Sequence, residues 1–219
     1  MFDHYHPYPP FIPDTATKLI VGTLPPPRFT TGQLKKGDVN FCYGSRDGQL
    51  WPILDTIFNI GLKFETTETA IEQRKQFLTQ RGIGVCDIVG SAQRDKVDAS
   101  DLGMHSVLLR DVLSVLEEHL AIDTLLFTGG NSKNGPEYFF RFHLKKHGLQ
   151  LDQISSIVPR IHEFRLPISK RRIRTISLTA PSGAANRAVG SMPSYKAMKA
   201  AFPEKTTVDF RIQQYAPYF

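Results

Sequence analysis

Residues 172–190 read RIRTISLTAPSGAANRAVG. The first eight are rich in β-branched and aliphatic side chains, which predicts a short strand over 172–179. Pro181-Ser182-Gly183 then breaks it with a turn. Small residues follow, with Asn186 and Arg187 as the only large polar groups before Gly190. Working outward, three more apolar runs share this design: KLIVG (18–22), IGVCDIV (83–89) and DTLLFTGG (123–130). Between the runs lie segments of helical character. Strands that alternate with helices predict parallel strands under helical cover. The expected fold class is therefore α/β, a three-layer α/β/α sandwich around a central, mainly parallel four-stranded sheet.

The helices are placed by their end signals. One is expected from about Leu50–Pro52, with Ile53, Leu54, Ile57 and Phe58 on one side, ending before Gly61. A second opens at Thr66, Thr67 and Glu68 and runs to about Thr79. HSVLLRDVLSVLEEHL (105–120) carries apolar residues at helical spacing, and 91–103 reads as a polar loop. Pro136 and Gly148 bracket EYFFRFHLKKH in Pro-first, Gly-last order, and Pro193 suits the first turn of a last helix. Residues 1–17, Pro- and aromatic-rich, read as an extended arm, and 18–219 as a single domain. MFDHYHPYPPFIPD has neither the basic nor the apolar region of a signal peptide.

The totals exclude several classes. A chain of 219 residues with 41% hydrophobic and 22% charged residues is globular rather than disordered. No uncharged apolar stretch approaches the roughly 20 residues of a membrane helix. Cys42 and Cys86 are the only cysteines, too few for a Cys₄ site; a reduced, cytoplasmic setting is expected. The net charge of +6 points to an anionic partner, nucleic acid first. Lys170, Arg171, Arg172 and Arg174 cluster ahead of the last loop, and Lys35–Lys36 lie in a Gly-flanked segment. Lys145–Lys146 read as helix C-terminal charges.

Ligands of open α/β sheets bind beyond the carboxyl ends of the strands. Here those ends carry GTLPPP, CDIVGS, FTGGNSKNG and TAPSGAANR. The chain has no G-x-G-x-x-G after the first strand, no Walker-type phosphate loop and no G-x-S-x-G elbow. GDVNFCYGSRDGQLWPIL (37–54) combines aromatics with short polar groups. Phe41 or Tyr43 could stack on a planar ring, with Asp47 or Asn40 on its edge or on a water. Equally, Asp47 could cap the following helix while Phe41 and Tyr43 pack in the core. Asp87 could order the rim or cap a turn. His4 and His6 read as surface histidines; His105, His119, His143 and His147 read as packing or capping groups, with no metal site among them.

GTLPPP, the Tyr43 loop, QLWPIL, RGIGVCDIVGSAQRDKVDASDLG, TLLFTGG and LTAPSGAANRAVG occur in an order and spacing that resembles the uracil-DNA glycosylase superfamily. The nearest branches are the mismatch-specific (thymine/uracil) and hypoxanthine-DNA glycosylases, and the likeness covers most of residues 18–200. The resemblance implies a monomeric DNA-repair enzyme that rotates a deaminated or mismatched base out of DNA, duplex or single-stranded. It would hydrolyse the N-glycosidic bond without metal or cofactor and leave an abasic site. The base pocket would comprise Gly22, Thr23, Leu24, Pro25, Phe41 and Tyr43. Ser182 and Gly183 would hold phosphate, Asn186 and Arg187 would probe the duplex, and Arg172, Ser91 and Arg94 would border the DNA.

Three positions depart from the family pattern. Leu24 stands where an Asp or Asn commonly positions the attacking water. Gly48 stands where the hypoxanthine branch has its Asn, and Ala180 where some branches have a His or Asn before Pro-Ser. Asp47 is the substitute catalytic candidate, since a carboxylate can orient water and stabilise an oxocarbenium-like sugar, and Asn40 is the second. The alternative expectations are a binding member that keeps the rim without the chemistry, and a hydrolase of free nucleosides.

Overall fold

The computed structural model describes residues 1–98 and 100–219. Among those residues nine strands form: β1 (Phe2–Tyr5), β2 (Lys18–Val21), β3 (Ile83–Val85), β4 (Val89–Arg94), β5 (Met104–Leu109), β6 (Thr124–Phe127), β7 (Asp152–Ser155), β8 (Arg160–Arg165) and β9 (Arg172–Ser177). Eight helices accompany them: α1 (Pro27–Thr30), α2 (Leu50–Phe58), α3 (Glu68–Arg81), α4 (Val112–Glu118), α5 (Pro136–Lys146), α6 (Asn186–Ser191), α7 (Pro193–Ala201) and α8 (Thr207–Tyr215).

The main sheet has the order β3-β2-β6-β9-β8-β7. The four strands expected from the apolar runs are neighbours and all parallel, with Lys18 opposite both Ile83 and Thr124, and Thr124 opposite Arg174. Because side chains alternate along a strand, each face of the sheet has its own core. Leu19, Val21, Leu125 and Phe127 pack with Leu113 and Leu116 of α4 and with Phe139, Phe140 and Leu144 of α5. Ile20, Leu126 and Ile176 pack on the other side with Trp51, Ile53 and Leu54 of α2, Phe77 and Leu78 of α3, and Tyr215 of α8. Each such fully buried side chain contributes about 1.5–3 kcal/mol.

Several expectations are corrected. The sheet has six strands, not four, because β8 runs antiparallel beside β9 and β7 beside β8. That hairpin escapes an apolar-run reading because β7 is polar and mostly exposed, while β8 alternates buried His162 and Phe164 with more exposed neighbours. Residues 105–109 are strand rather than helix. The helix of that segment starts after Asp111, whose carboxylate accepts the Ser114 amide hydrogen at 3.1 Å. The expected loop after residue 91 opens as strand, and β1-β4-β5 make a second, antiparallel sheet. The N-terminal arm is woven in: β1 pairs with β4, and Phe11 exchanges two backbone hydrogen bonds with Val85 along the edge of β3. Finally, α7 is not the last helix. Thr206 and Asp209 form a capping box that starts α8.

Among the described residues, no helix is long and apolar enough to cross a membrane.

Candidate active site

The carboxyl ends of the parallel strands meet the 42–50 segment around a cavity of about 410 Å³. Thr23, Leu24 and Pro25 follow β2 into its wall, Asp87 follows β3, Thr128 follows β6, and Ala180 to Ala184 follow β9. Tyr43, Ser45, Asp47 and Gly48 close it from the connecting loop, and His6 from the N-terminal segment.

The floor is organised by Asp87, which is 5% exposed. Its Oδ1 accepts the Gly22 amide hydrogen at 2.7 Å and the Tyr43 hydroxyl hydrogen at 2.7 Å. Its Oδ2 meets His6 Nε2 at 2.9 Å. Tyr43 Oη also lies 3.2 Å from Thr128 Oγ1. Burial, with the adjacent carboxylate, pushes the Tyr43 hydroxyl well above the usual phenol range, so it stays a donor. Tyr43 reaches this position from a left-handed backbone, φ 58°. Gly22 is required by close approach: a Cβ there would stand 2.2 Å from Tyr43 Oη. Asp87 therefore positions Tyr43, and both its oxygens are occupied.

The 37–48 loop is fastened by a second carboxylate. Asp38, 0% exposed, takes Arg28 Nε at 2.7 Å and Arg28 Nη2 at 2.8 Å. It also accepts the amide hydrogens of Lys35 and Arg46, each at 2.8 Å. Burial alone would raise this carboxyl; the guanidinium and the two amides overcome it and hold it down at about 2. Arg28 extends to Ser45 Oγ at 2.8 Å and to Asp47 at 3.1 Å. Asp47 is thereby held at the cavity lip with its side chain 68% exposed.

A third carboxyl, Asp101, lines the cavity and accepts the Thr23 hydroxyl hydrogen at 2.9 Å. Burial raises it to about 6, against the opposing pull of that hydrogen bond and of Arg94. Asp101 can thus exchange a proton near neutrality, which suits acid–base work or a hydrogen bond to a ligand.

The Pro-Ser-Gly loop is held from behind by Arg211 of α8, itself 0% exposed. Arg211 donates to the carbonyls of Ala180 at 2.9 Å and Ser182 at 3.1 Å, and to Gln49 Oε1 at 2.9 Å. The Gln49 amide donates to the Pro181 carbonyl at 2.8 Å, joining the two loops.

Of the sequence candidates, Thr23, Leu24, Pro25, Tyr43, Asp47, Ser182 and Gly183 line the cavity, and Gly22 sits directly behind its floor. Asn40 stands outside: it is exposed and accepts from the Tyr8 hydroxyl at 2.8 Å. Phe41 is core, edge-on to Phe11 and tilted against Trp51. Asn186 does not face out, since its Oδ1 accepts from Arg211 at 2.9 Å and from Thr207 at 3.0 Å. Arg187 is exposed on the first turn of α6.

Three supposed DNA contacts are placed elsewhere. Arg172 begins β9, so six strand steps of about 3.3 Å put it roughly 20 Å from the last loop, where it pairs with Glu163. Its neighbour Arg171 donates to the Leu116 carbonyl in the last turn of α4 and to the Leu120 and Ile122 carbonyls beyond it. Ser91 pairs with Tyr5 and Leu108 inside the small sheet. Arg94 is 1% exposed, donating to His4 Nδ1 at 2.7 Å and to the Ser100 carbonyl at 2.5 Å. His4 and His6 are likewise buried, not surface groups: the β1–β4 pairing carries His4 to Arg94, and the chain beyond β1 brings His6 to Asp87. Burial holds the His4 imidazole at about 4, hence neutral.

Sequence reasoning passed over Arg28, Asp38, Asp101 and Arg211. Asp101 lay within the RGIGVCDIVGSAQRDKVDASDLG stretch that carries the resemblance, and Asp38 followed Gly37 in the 37–54 loop. Arg211 had none, because nothing local in TVDFRIQQY indicates a partner some thirty residues away.

Comparison with models of known families, with curated proteins and with solved structures gave no match.

Proposed function

We propose that this chain is a monofunctional DNA glycosylase of the uracil-DNA glycosylase type. It takes a deaminated or mismatched base, turned out of the DNA stack, into the 410 Å³ cavity and hydrolyses its glycosidic bond. The observation that carries the reading is the meeting of GTLPPP, the Tyr43 loop, VCDIV and TAPSGA at one cavity beyond the strand ends. Asp47 at the lip orients a water and takes its proton as the water oxygen bonds to the sugar C1′. The C1′–N bond breaks, and its electron pair leaves with the base. Thr23 and Asp101 face the base edge, while Asp87, through Tyr43, keeps the floor in shape. The 181–185 turn packs against the DNA backbone, and Arg187 reaches the strand. The protein works in the cytoplasm, associated with the nucleoid if the cell is bacterial.

A second reading has its own support. Leu24, Gly48 and Ala180 all line the cavity and bring no polar side chain to it. A DNA-binding protein without hydrolysis would look the same. Single-turnover incubation with duplexes carrying uracil, hypoxanthine, xanthine or a G·T mismatch separates the two. Base release by the wild type, lost in Asp47→Ala with duplex binding retained, supports the enzyme. An undiminished rate in Asp47→Ala removes Asp47 from the mechanism.

A further inference from the structure

Outside the cavity wall, α4 and α5 meet at three metal-ligating side chains: Asp111, His143 and His147. His143 and His147 lie four residues apart, which puts both imidazoles on one side of α5, their ring centroids 5.1 Å apart. One ligand atom from each of the three residues lies within 4.8 Å of the others. Asp111 is already oriented, its carboxylate accepting from the Ser114 amide at 3.1 Å and from the Ser114 hydroxyl at 2.7 Å.

The deciding atom is His143 Nε2. The residue is 7% exposed, and this nitrogen is buried without a hydrogen-bond partner among the described residues. Asp111 Oδ1 faces it at 3.3 Å, an ion-pair distance, without the alignment of a full hydrogen bond. Two ligands bound at about 2.0–2.1 Å to a tetrahedral ion stand roughly 3.3–3.4 Å apart, the same spacing. A buried polar atom left unpaired is costly unless something else binds it.

We propose that Asp111, His143 and His147 hold one zinc ion, with water in the fourth position. Two imidazoles and one carboxylate suit zinc and disfavour magnesium or calcium, which take oxygen ligands. The ion fastens the N-terminus of α4 to the end of α5, and so braces one helical layer against the sheet.

The test is equilibrium dialysis of EDTA-stripped full chain against micromolar zinc chloride, with bound metal counted by atomic emission. The expected result is one zinc per chain and a raised melting temperature, with no change in magnesium chloride. His147→Gln removes an exposed ligand, and Asp111→Asn keeps the helix cap; each lowers zinc affinity at least about tenfold, the smallest loss seen on disturbing even the outer partners of such sites. His105→Gln, which alters a separate histidine–aspartate contact, leaves the count at one. Absence of bound zinc in the wild type, or equal binding by the Asp111→Asn/His147→Gln double variant, overturns the proposal. Loss in His105→Gln overturns it too, since binding would then be scattered over surface histidines.

Discussion

Asp38 anchors the loop that closes the cavity and Asp101 lines its wall; both carboxyls are shielded from water, and they behave in opposite ways. Asp38 receives two guanidinium donors and two amides, and stays ionised down to about 2. Asp101 receives one hydroxyl, from Thr23, and burial lifts it to about 6. The difference separates scaffold from site. Where every lone pair has a donor, the carboxylate holds the chain in place. Where a carboxyl lines a cavity with fewer donors than it can accept, it has capacity left for a ligand.

The largest expected effect comes from breaking the saturated member. Asp38→Ala leaves three donors unmet, Arg28 Nε and the Lys35 and Arg46 amides, while Arg28 Nη2 keeps Ser45 and Asp47; it costs about 3–5 kcal/mol in urea unfolding at neutral pH. Its folded pKa is depressed, so the wild type holds this stability above the ordinary carboxylate range and loses it as pH falls through about 2. Asp101→Asn goes the other way. A raised folded pKa means stability that is full below the ordinary carboxylate value and lost as pH rises through about 6. The Asn variant is therefore more stable than wild type at mildly alkaline pH, by up to about 2 kcal/mol after allowance for solvent screening, and equal to it in acid. Calorimetry across pH checks both slopes, and parallel slopes would erase the distinction. The smallest effects sharpen the same contrast at the level of the sheet. Arg187→Ala, at the cavity end, lowers the salt slope of duplex binding by about one. Arg172→Ala, at the opposite end, leaves that slope alone and shifts stability by less than about 1 kcal/mol.

That last pair also shows what could be read in advance. The four parallel strands were legible because each is a short apolar run ended by glycine or a Pro-Ser-Gly turn, and strand direction alone then placed Thr23, Asp87 and Ala180 on one rim. The run Lys170–Arg174 misled as a binding patch because it lies at the start of β9, not its end. Its residues answer local needs: Arg171 the carbonyls after α4, Arg172 and Arg174 the Glu163 carboxylate. The second sheet was hidden because Val107, Leu108 and Leu109 fit a helical stripe as well as a strand, and their pairing partner β4 is polar. His4 and His6 read as surface groups because their partners, Arg94 and Asp87, are distant in sequence. The long-range clamps, Arg28 on Asp38 and Arg211 on the last loop, depend on contacts that no local pattern encodes.

The measurement that bears most directly on the central claim is free-base release under single-turnover conditions, from duplexes carrying uracil, hypoxanthine, xanthine or a G·T mismatch. Release of one of these bases with an abasic site left behind, abolished in Asp47→Ala, is the expected result. Tight duplex binding with no base released from any of the four, at enzyme excess, would contradict it and leave Leu24, Gly48 and Ala180 as the mark of a protein that binds without cleaving.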